Sequence, residues 1–150
     1  MYKRILAAID LTPNENTVLS HTQELATLTG AAVHLLHVAP VHRVPGEMLG
    51  EGVGLVSDAD DIDAREMDLC NRAIAQLTAA GIRAEGQMIR VVAGAEDDIA
   101  NVILRRAKEL GADLIVLGET LHGGLARLFR GSVADQVIHH HPPCSVLLVH

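Results

Sequence analysis

The sequence predicts an α/β domain with an open, parallel, five-stranded sheet and helices on both faces (Rossmann-like). Two observations indicate this fold class. Short apolar runs bounded by turn residues recur along the chain, and the segments between them have apolar residues at the 3.6-residue spacing of helices. The length of 150 residues suits one domain with a sizeable core. We therefore expect a single domain over residues 1–150.

The five predicted strands differ in how much of each is expected to be buried. Three are continuous apolar runs, typical of strands covered on both faces, namely Ile5–Ile9, Leu114–Leu117 and Val146–Val149. Val33–Val38 is similar but contains His34 and His37. Residues 82–88 instead alternate apolar or small residues with polar ones, so this strand is expected at a sheet edge.

Capping residues predict where the first two helices begin and end. Thr12-Pro13-Asn14-Glu15 is a capping box with proline at the first helical position, and Gly30 is expected to end that helix. The second helix is expected from Ser57-Asp58 until just before Gly81. Its apolar stripe comprises Ile62, Leu69, Cys70, Ala73, Ile74 and Leu77.

The last two helices have similar signals. The third is expected to carry the acidic residues 96–98 in its first turn, where they suit the helix dipole, and to end at Gly111. The fourth follows Gly131-Ser132 and is stopped by Pro142-Pro143. The glycine-rich connection 40–57 is longer than most loops. We expect it to be flexible, as either a mobile flap or a disordered segment.

Composition excludes several classes of function and location. The chain has 12 Lys+Arg against 19 Asp+Glu, a formal net charge of −7, and its aromatic residues are Tyr2 and Phe129. Nucleic-acid binding is not expected without a basic groove and stacking rings. Cys70 and Cys144 are too few for a disulfide scaffold and are expected as buried small hydrophobes in a reducing compartment. Without a signal sequence or membrane span, a soluble cytoplasmic protein is expected.

Candidate binding residues follow the carboxyl ends of the predicted strands, where open α/β sheets place their ligands. Asp10 follows strand one, and Gly94 follows strand three. A long connection from Gly118 to Ser132 follows strand four and contains two arginines. Gly118 allows close approach of a ligand, and Gly131-Ser132 offers amides at a helix start to an anion. The alternative is that Ser132 is only an N-cap.

The electrostatic balance favours an anion in that connection. Residues 119–131 carry Glu119 against Arg127 and Arg130, a local charge of +1 on a chain of −7. The alternative is that these arginines simply face solvent.

These segments together resemble the universal stress proteins of the UspA superfamily over the whole chain. The resemblance lies in Ile5–Asp10, Leu117-Gly118, Gly131–Ala134 and Pro143–Val149. Nucleotide-binding members carry a glycine, two residues, a second glycine, nine residues, and a glycine followed by Ser or Thr. Gly118 and Gly131-Ser132 match the ends of that motif, whereas Leu121 replaces its middle glycine.

The resemblance implies a stress-response regulator that binds an adenine nucleotide, ATP or AMP, with or without Mg²⁺. The residues implied to hold it are Ala8, Asp10, Val38, Gly94, Leu117, Gly118, Arg127, Gly131, Ser132 and Val133. Leu121 keeps a second hypothesis open, a member that binds no nucleotide and acts as a protein-interaction module. In either case a regulatory protein partner of unknown identity is expected.

No catalytic or metal motif is found in the sequence. There is no G-x-S-x-G elbow, P-loop or zinc-type Cys/His spacing, and the acids at 58–63 lack the pattern of a calcium loop. His139–His141 diverge on a helix and suit its carboxyl-terminal dipole better than a metal. We expect no dedicated enzyme, with slow ATP hydrolysis or autophosphorylation at most.

Strand order predicts a homodimer. Right-handed crossovers with the reversal between strands one and four give the order 3-2-1-4-5 and leave strand five at an edge. This strand is apolar, and the sequence ends one residue after it. We therefore expect two copies to pair through Cys144 to Val149, as the resemblance also implies.

Overall fold

A computed structural model describes residues 1–10, 15–41, 57–92, 98–118 and 133–150. Within these residues strands and helices alternate, as the sequence predicts. The elements are β1 (Arg4–Ile9), α1 (Glu15–Thr29), β2 (Ala32–Val41), α2 (Ser57–Ala79), β3 (Ala84–Val92), α3 (Ile99–Leu110), β4 (Leu114–Gly118), α4 (Val133–His139) and β5 (Ser145–Val149).

The five strands form one parallel sheet in the order β3-β2-β1-β4-β5. The predicted fold class and order are therefore confirmed, with β3 and β5 at the edges. Because β1 is flanked by β2 on one side and β4 on the other, the direction of strand addition reverses between β1 and β4. A crevice is expected at the carboxyl ends of these two strands.

Each face of the sheet has its own apolar core, because successive strand side chains point to opposite faces. On one face, Ile5 and Leu35 pack with Leu19 of α1 and Leu69 of α2. On the other face, the buried residues come from the sheet and from α3 and α4, and include Leu6, Leu36, Ile103, Ile115 and Val137. The sheet is thus covered on both sides, which explains the continuous apolar runs of the central strands.

The ends of α3 show both kinds of helix cap. Asp98 precedes the helix, and its carboxylate accepts a hydrogen bond from the Asn101 backbone N–H at 2.8 Å. Gly111 has φ +59°, a left-handed conformation that favours glycine, and its N–H donates to carbonyls of the last turn. The prediction that Asp98 lies in the first turn was wrong, because its extended backbone makes it the N-cap. Residues 96 and 97 lie outside the described residues.

Other predicted boundaries are close to the observed ones. Helix α1 is followed by Gly30, and α4 ends before the prolines at 142–143. The capping residues 12–14 and the 131–132 pair lie outside the described residues. Strand β2 runs to Val41 and α2 begins at Ser57, so the described part of the predicted 40–57 connection belongs to these two elements. Residues 42–56 are outside the described ranges.

Strands β2 and β3 are longer than predicted, and β3 begins later. Their parallel pairing runs continuously from Val33 opposite Ala84 to Val41 opposite Val92. The backbone ladder therefore carries both strands beyond Val38 and Met88, where the sequence pattern ended. Ile82 precedes β3 and is buried in the core.

Candidate functional site

A cleft lies at the carboxyl ends of β1 and β4, where the strand order reverses. It is lined by Ala8, Ile9, Asp10, Val18, Leu36, Val38, Ile99, Ile103, Leu117, Gly118, Val133 and Ala134. The structure brings together six predicted site residues here, namely Ala8, Asp10, Val38, Leu117, Gly118 and Val133. The other four, Gly94, Arg127, Gly131 and Ser132, lie outside the described residues.

Strand register explains why these residues meet. Ala8 of β1 lies opposite Leu36 of β2 on one side and Leu117 of β4 on the other. The methyl group of Ala8 is smaller than the isobutyl groups of its two neighbours, so the centre of this row leaves space above the sheet. Val133 and Ala134, at the start of α4, contribute to the side of that space.

Part of the apolar lining was not predicted from the sequence. Ile99 and Ile103 lie on the apolar side of α3, which packs on the core of the sheet. Both also face the cleft, because the first turns of α3 lie at the carboxyl end of the sheet. Val18 of α1 and Leu36 of β2 also line the cleft. The sequence contains no pattern that distinguishes these cleft residues from core residues. The described wall is aliphatic, so a flat ligand would be held by apolar contact without ring stacking.

Acidic groups lie at one rim of the cleft. Asp10 is exposed directly after β1, and Glu15 begins α1. Partial burial raises the pKa of Glu15, the neighbouring Asp10 charge raises it further, and Arg72 and His37 oppose these effects. This side of the cleft is therefore negative in character.

A polar cluster lies next to the end of β1 and comprises the buried residues His37 and Glu66 and the exposed residue Arg90. His37 is 4% exposed, and its Nδ1 donates a hydrogen bond to the Ile9 carbonyl at 2.8 Å. Its Nε2 lies 3.5 Å from Glu66 Oε1, while Glu66 Oε2 accepts a hydrogen bond from Arg90 Nη2 at 3.2 Å. In the sequence, His37 stands out only as an interruption of an apolar strand. A histidine within an apolar strand was the feature of the sequence that indicated a buried polar group here.

The cysteines fit the predicted structural role in part. Cys70 is buried, as expected, and burial followed by the charges of Glu66 and Glu15 raises the pKa of its thiol. Cys144 is only partly buried, because it precedes the edge strand β5. Burial and Asp113 raise the pKa of the Cys144 thiol as well. Both thiols are free and neither has the lowered pKa typical of a reactive nucleophile.

Comparison with known proteins decides the family. Residues 1–150 match the Universal stress protein family. The chain belongs to this family. The resemblance predicted from Ile5–Asp10, Gly118 and Gly131-Ser132 is thereby confirmed.

Individual members of the family support the assignment over nearly the full chain. Universal stress protein A homolog 1 from Coxiella burnetii is 29% identical over 155 residues, covering 99% of this chain and 96% of the relative. A universal stress family protein from Burkholderia pseudomallei has a TM-score of 0.72 at 25% identity, covering 99% of this chain and 96% of its own. The universal stress protein from Archaeoglobus fulgidus, solved in complex with dAMP, has a TM-score of 0.66 at 25% identity, with coverages of 99% and 98%.

The described residues contain neither a metal-type cluster nor a membrane span. Among them, no group of three or more His, Cys, Asp or Glu residues is arranged to hold a metal ion. No helix in the described part of this universal stress family protein is long and apolar enough to cross a membrane.

Proposed function

We propose that this universal stress family protein binds an adenine nucleotide in the cleft between β1 and β4 and acts as a regulator without a dedicated catalytic site. The observation that carries the proposal is the cleft itself, which gathers six residues predicted from the sequence. Its place at the reversal of strand order is the usual ligand position in open α/β sheets. The relative from Archaeoglobus fulgidus, solved with dAMP, supports this class of ligand.

The base would occupy the aliphatic part of the cleft. Leu36, Ile103 and Leu117 supply apolar surface there. Val38 lines the cleft near the carboxyl end of β2, and its backbone groups are the proposed partners for the edge of the base. Because apolar contact replaces ring stacking, we expect moderate affinity.

The phosphates would extend from Gly118 toward the connection that follows β4. Gly118 ends β4 at the cleft, and the sequence motif continues to Gly131-Ser132 and includes Arg127. In the sequence, residues 119–131 of that connection carry a local charge of +1, which favours an anion. Mg²⁺ beside a di- or triphosphate would be compatible with the nearby Asp10 carboxylate.

Titration calorimetry with ATP, ADP, AMP and cyclic AMP, with and without Mg²⁺, tests this proposal. Ile99→Trp should fill the cleft and weaken binding at least about tenfold, which corresponds to about 1.4 kcal/mol. Leu104→Trp is the matched control, because Leu104 is also a half-buried residue of α3 but does not line the cleft. Equal losses in the two variants, or no heat from any nucleotide with the unmodified protein, would contradict the proposed site.

Leu121 favours a second candidate, a protein-interaction module that binds no nucleotide. This leucine replaces the middle glycine of the motif, and its side chain would compete with a ribose or phosphate for space. Leu121→Gly separates the two candidates. If the wild type binds a nucleotide, Leu121→Gly strengthens that binding several-fold. If the wild type is an interaction module, nucleotide binding is seen only in the Leu121→Gly variant.

We also propose a homodimer formed through β5, in the cytoplasm. Strand β5 pairs with β4 along one side and is an edge of the sheet. Its central residues, Val146 to Leu148, are apolar and only partly buried. A second copy paired along this edge would cover them and satisfy the outer backbone groups. The two free cysteines agree with a reducing compartment.

A further inference from the structure

In the polar cluster of His37, Glu66 and Arg90, two buried hydrogen-bond acceptors face each other. The Ile9 carbonyl can only accept a hydrogen bond, so Nδ1 of His37 carries a proton. In a neutral ring, Nε2 then presents a lone pair to Glu66 Oε1 at 3.5 Å. Among the described residues Nε2 has no hydrogen-bond partner, although His37 is 4% and Glu66 7% exposed. Two acceptors facing each other in a buried site are unfavourable.

A proton between the two side chains removes this conflict. Arg90 Nη2 donates to the other oxygen of Glu66, which favours the carboxylate form of that residue. The proton therefore belongs on Nε2, so His37 is an imidazolium that donates to Ile9 on one side and faces Glu66 on the other. We propose that this proton is a pH-sensitive link between α2 and the wall of the ligand cleft.

The link reaches the cleft through one residue of β1. Ile9 accepts the bond from His37 and also lines the cleft, and Asp10 follows it there. When the proton leaves as pH rises, Nε2 and the Glu66 carboxylate repel each other. His37 can then turn only by giving up its bond to Ile9, so the end of β1 loses its connection to Glu66 of α2.

The other charged groups around His37 do not supply the positive charge that a proton on Nε2 would provide. From α1, Glu15 acts on it, and from the end of β1, Asp10 adds a second acid close to Glu15. From α2 come Arg72, which opposes those acids, and the thiol of Cys70, beside Glu66. The charged groups around His37 are thus three acids, Glu15, Asp10 and Glu66, and two arginines, Arg72 and Arg90. A positively charged imidazolium at His37 makes the number of positive charges equal to the number of negative ones.

Glu66→Gln is the decisive variant. The amide that replaces the carboxylate can donate its N–H to a neutral His37 and accept from Arg90 through its oxygen, so the link persists without a titrating proton. Between about pH 6 and about pH 9, a range that spans histidine titration, the wild-type melting temperature should fall about 3–6 °C more than that of Glu66→Gln.

Glu85→Gln is the matched control. It alters the other His–Glu pair of β2, in which His34 Nδ1 lies 3.8 Å from Glu85 Oε2 and Glu85 is largely exposed. This variant should keep the wild-type pH profile. Parallel profiles for the wild type and Glu66→Gln would overturn the proposal.

Nitrogen-15 NMR of the wild-type imidazole rings tests the proton directly. At pH 6.5, both ring nitrogens of His37 should show protonated shifts. An unprotonated Nε2 at that pH, as a bridging water would allow, would overturn the proposal irrespective of how the variants fold.

A ligand measurement then tests the consequence for the cleft, and this arm alone rests on the proposed function. AMP affinity should fall about tenfold between about pH 6.5 and about pH 8.5 in the wild type, a range in which the second ionisation of the phosphate is largely complete. Glu66→Gln should change less than about twofold. If AMP does not bind at all, the proposed function fails, while the melting and NMR results still decide the proton. If AMP binds with equal pH dependence in both proteins, the proposed pH-sensitive link to the cleft is wrong, whereas the proposed nucleotide site in the cleft is retained.

Discussion

Ala8 of β1 is the register partner of Leu117 of β4, and both side chains line the cleft. The two residues are far apart in the chain and meet only because β4 pairs with β1 on the side away from β2. A small residue opposite a large one at the reversal of strand order leaves a concave surface. The ligand position proposed for this family member therefore follows from sheet topology and from the size of one side chain.

The N-cap of α3 is expected to stabilise the domain measurably. Asp98→Ala removes the acceptor of the Asn101 N–H and should lower the free energy of unfolding by about 1 kcal/mol. Urea unfolding at neutral pH measures the change. Asp68→Ala is the control, because Asp68 forms an exposed pair with Arg72 and its loss should cost under about 0.5 kcal/mol. A smaller loss for Asp98→Ala than for Asp68→Ala would contradict the cap assignment.

The pKa of Glu15 predicts how stability changes with pH. Burial is the main cause that raises this pKa in the folded protein, so ionising Glu15 is less favourable in the folded chain than in the unfolded chain. The carboxylate therefore opposes folding at neutral pH, and this penalty disappears as pH falls through the raised pKa. Glu15→Gln should accordingly gain stability relative to the wild type at pH 7 and lose that advantage toward pH 4.

Urea unfolding at several pH values tests this prediction, with Glu24→Gln as the control. Glu24 is an exposed residue of the same helix, so its variant controls for the loss of one carboxylate from α1. A Glu15→Gln advantage that grows as pH falls would mean that the fold stabilises Glu15 as a carboxylate, the reverse of the assigned cause.

The β5 edge predicts a dimer that a single charge weakens. Leu147 lies in the centre of β5 and is partly buried, so Leu147→Lys would bring two like charges together across a two-fold axis. Light scattering at micromolar concentration should show a dimer for the wild type and a shift toward monomer for the variant. Met67→Lys, at a half-exposed site on α2, should remain dimeric. A monomeric wild type would contradict the proposed assembly.

Several features could be predicted from local patterns in the sequence. Alternation of apolar strands with amphipathic helices predicted the layers, and glycines such as Gly111 marked helix ends. Right-handed crossovers then gave the strand order, because few other arrangements are compatible with short connections. Asp10, Val38 and Gly118 could be assigned to the cleft from their places at strand ends and from the family resemblance.

Tertiary structure alone decided the features that depend on contacts between distant segments. The lengths of β2 and β3 come from their mutual backbone pairing, which no local pattern encodes. Ile103 faces the cleft as well as the core, because the position of α3 over the sheet determines what its apolar stripe meets. Glu66 had no signal in the sequence, since a buried charge becomes interpretable only when its partners, here His37 and Arg90, are known. Local chemistry therefore determined the elements of this protein, whereas packing determined which polar groups are buried together.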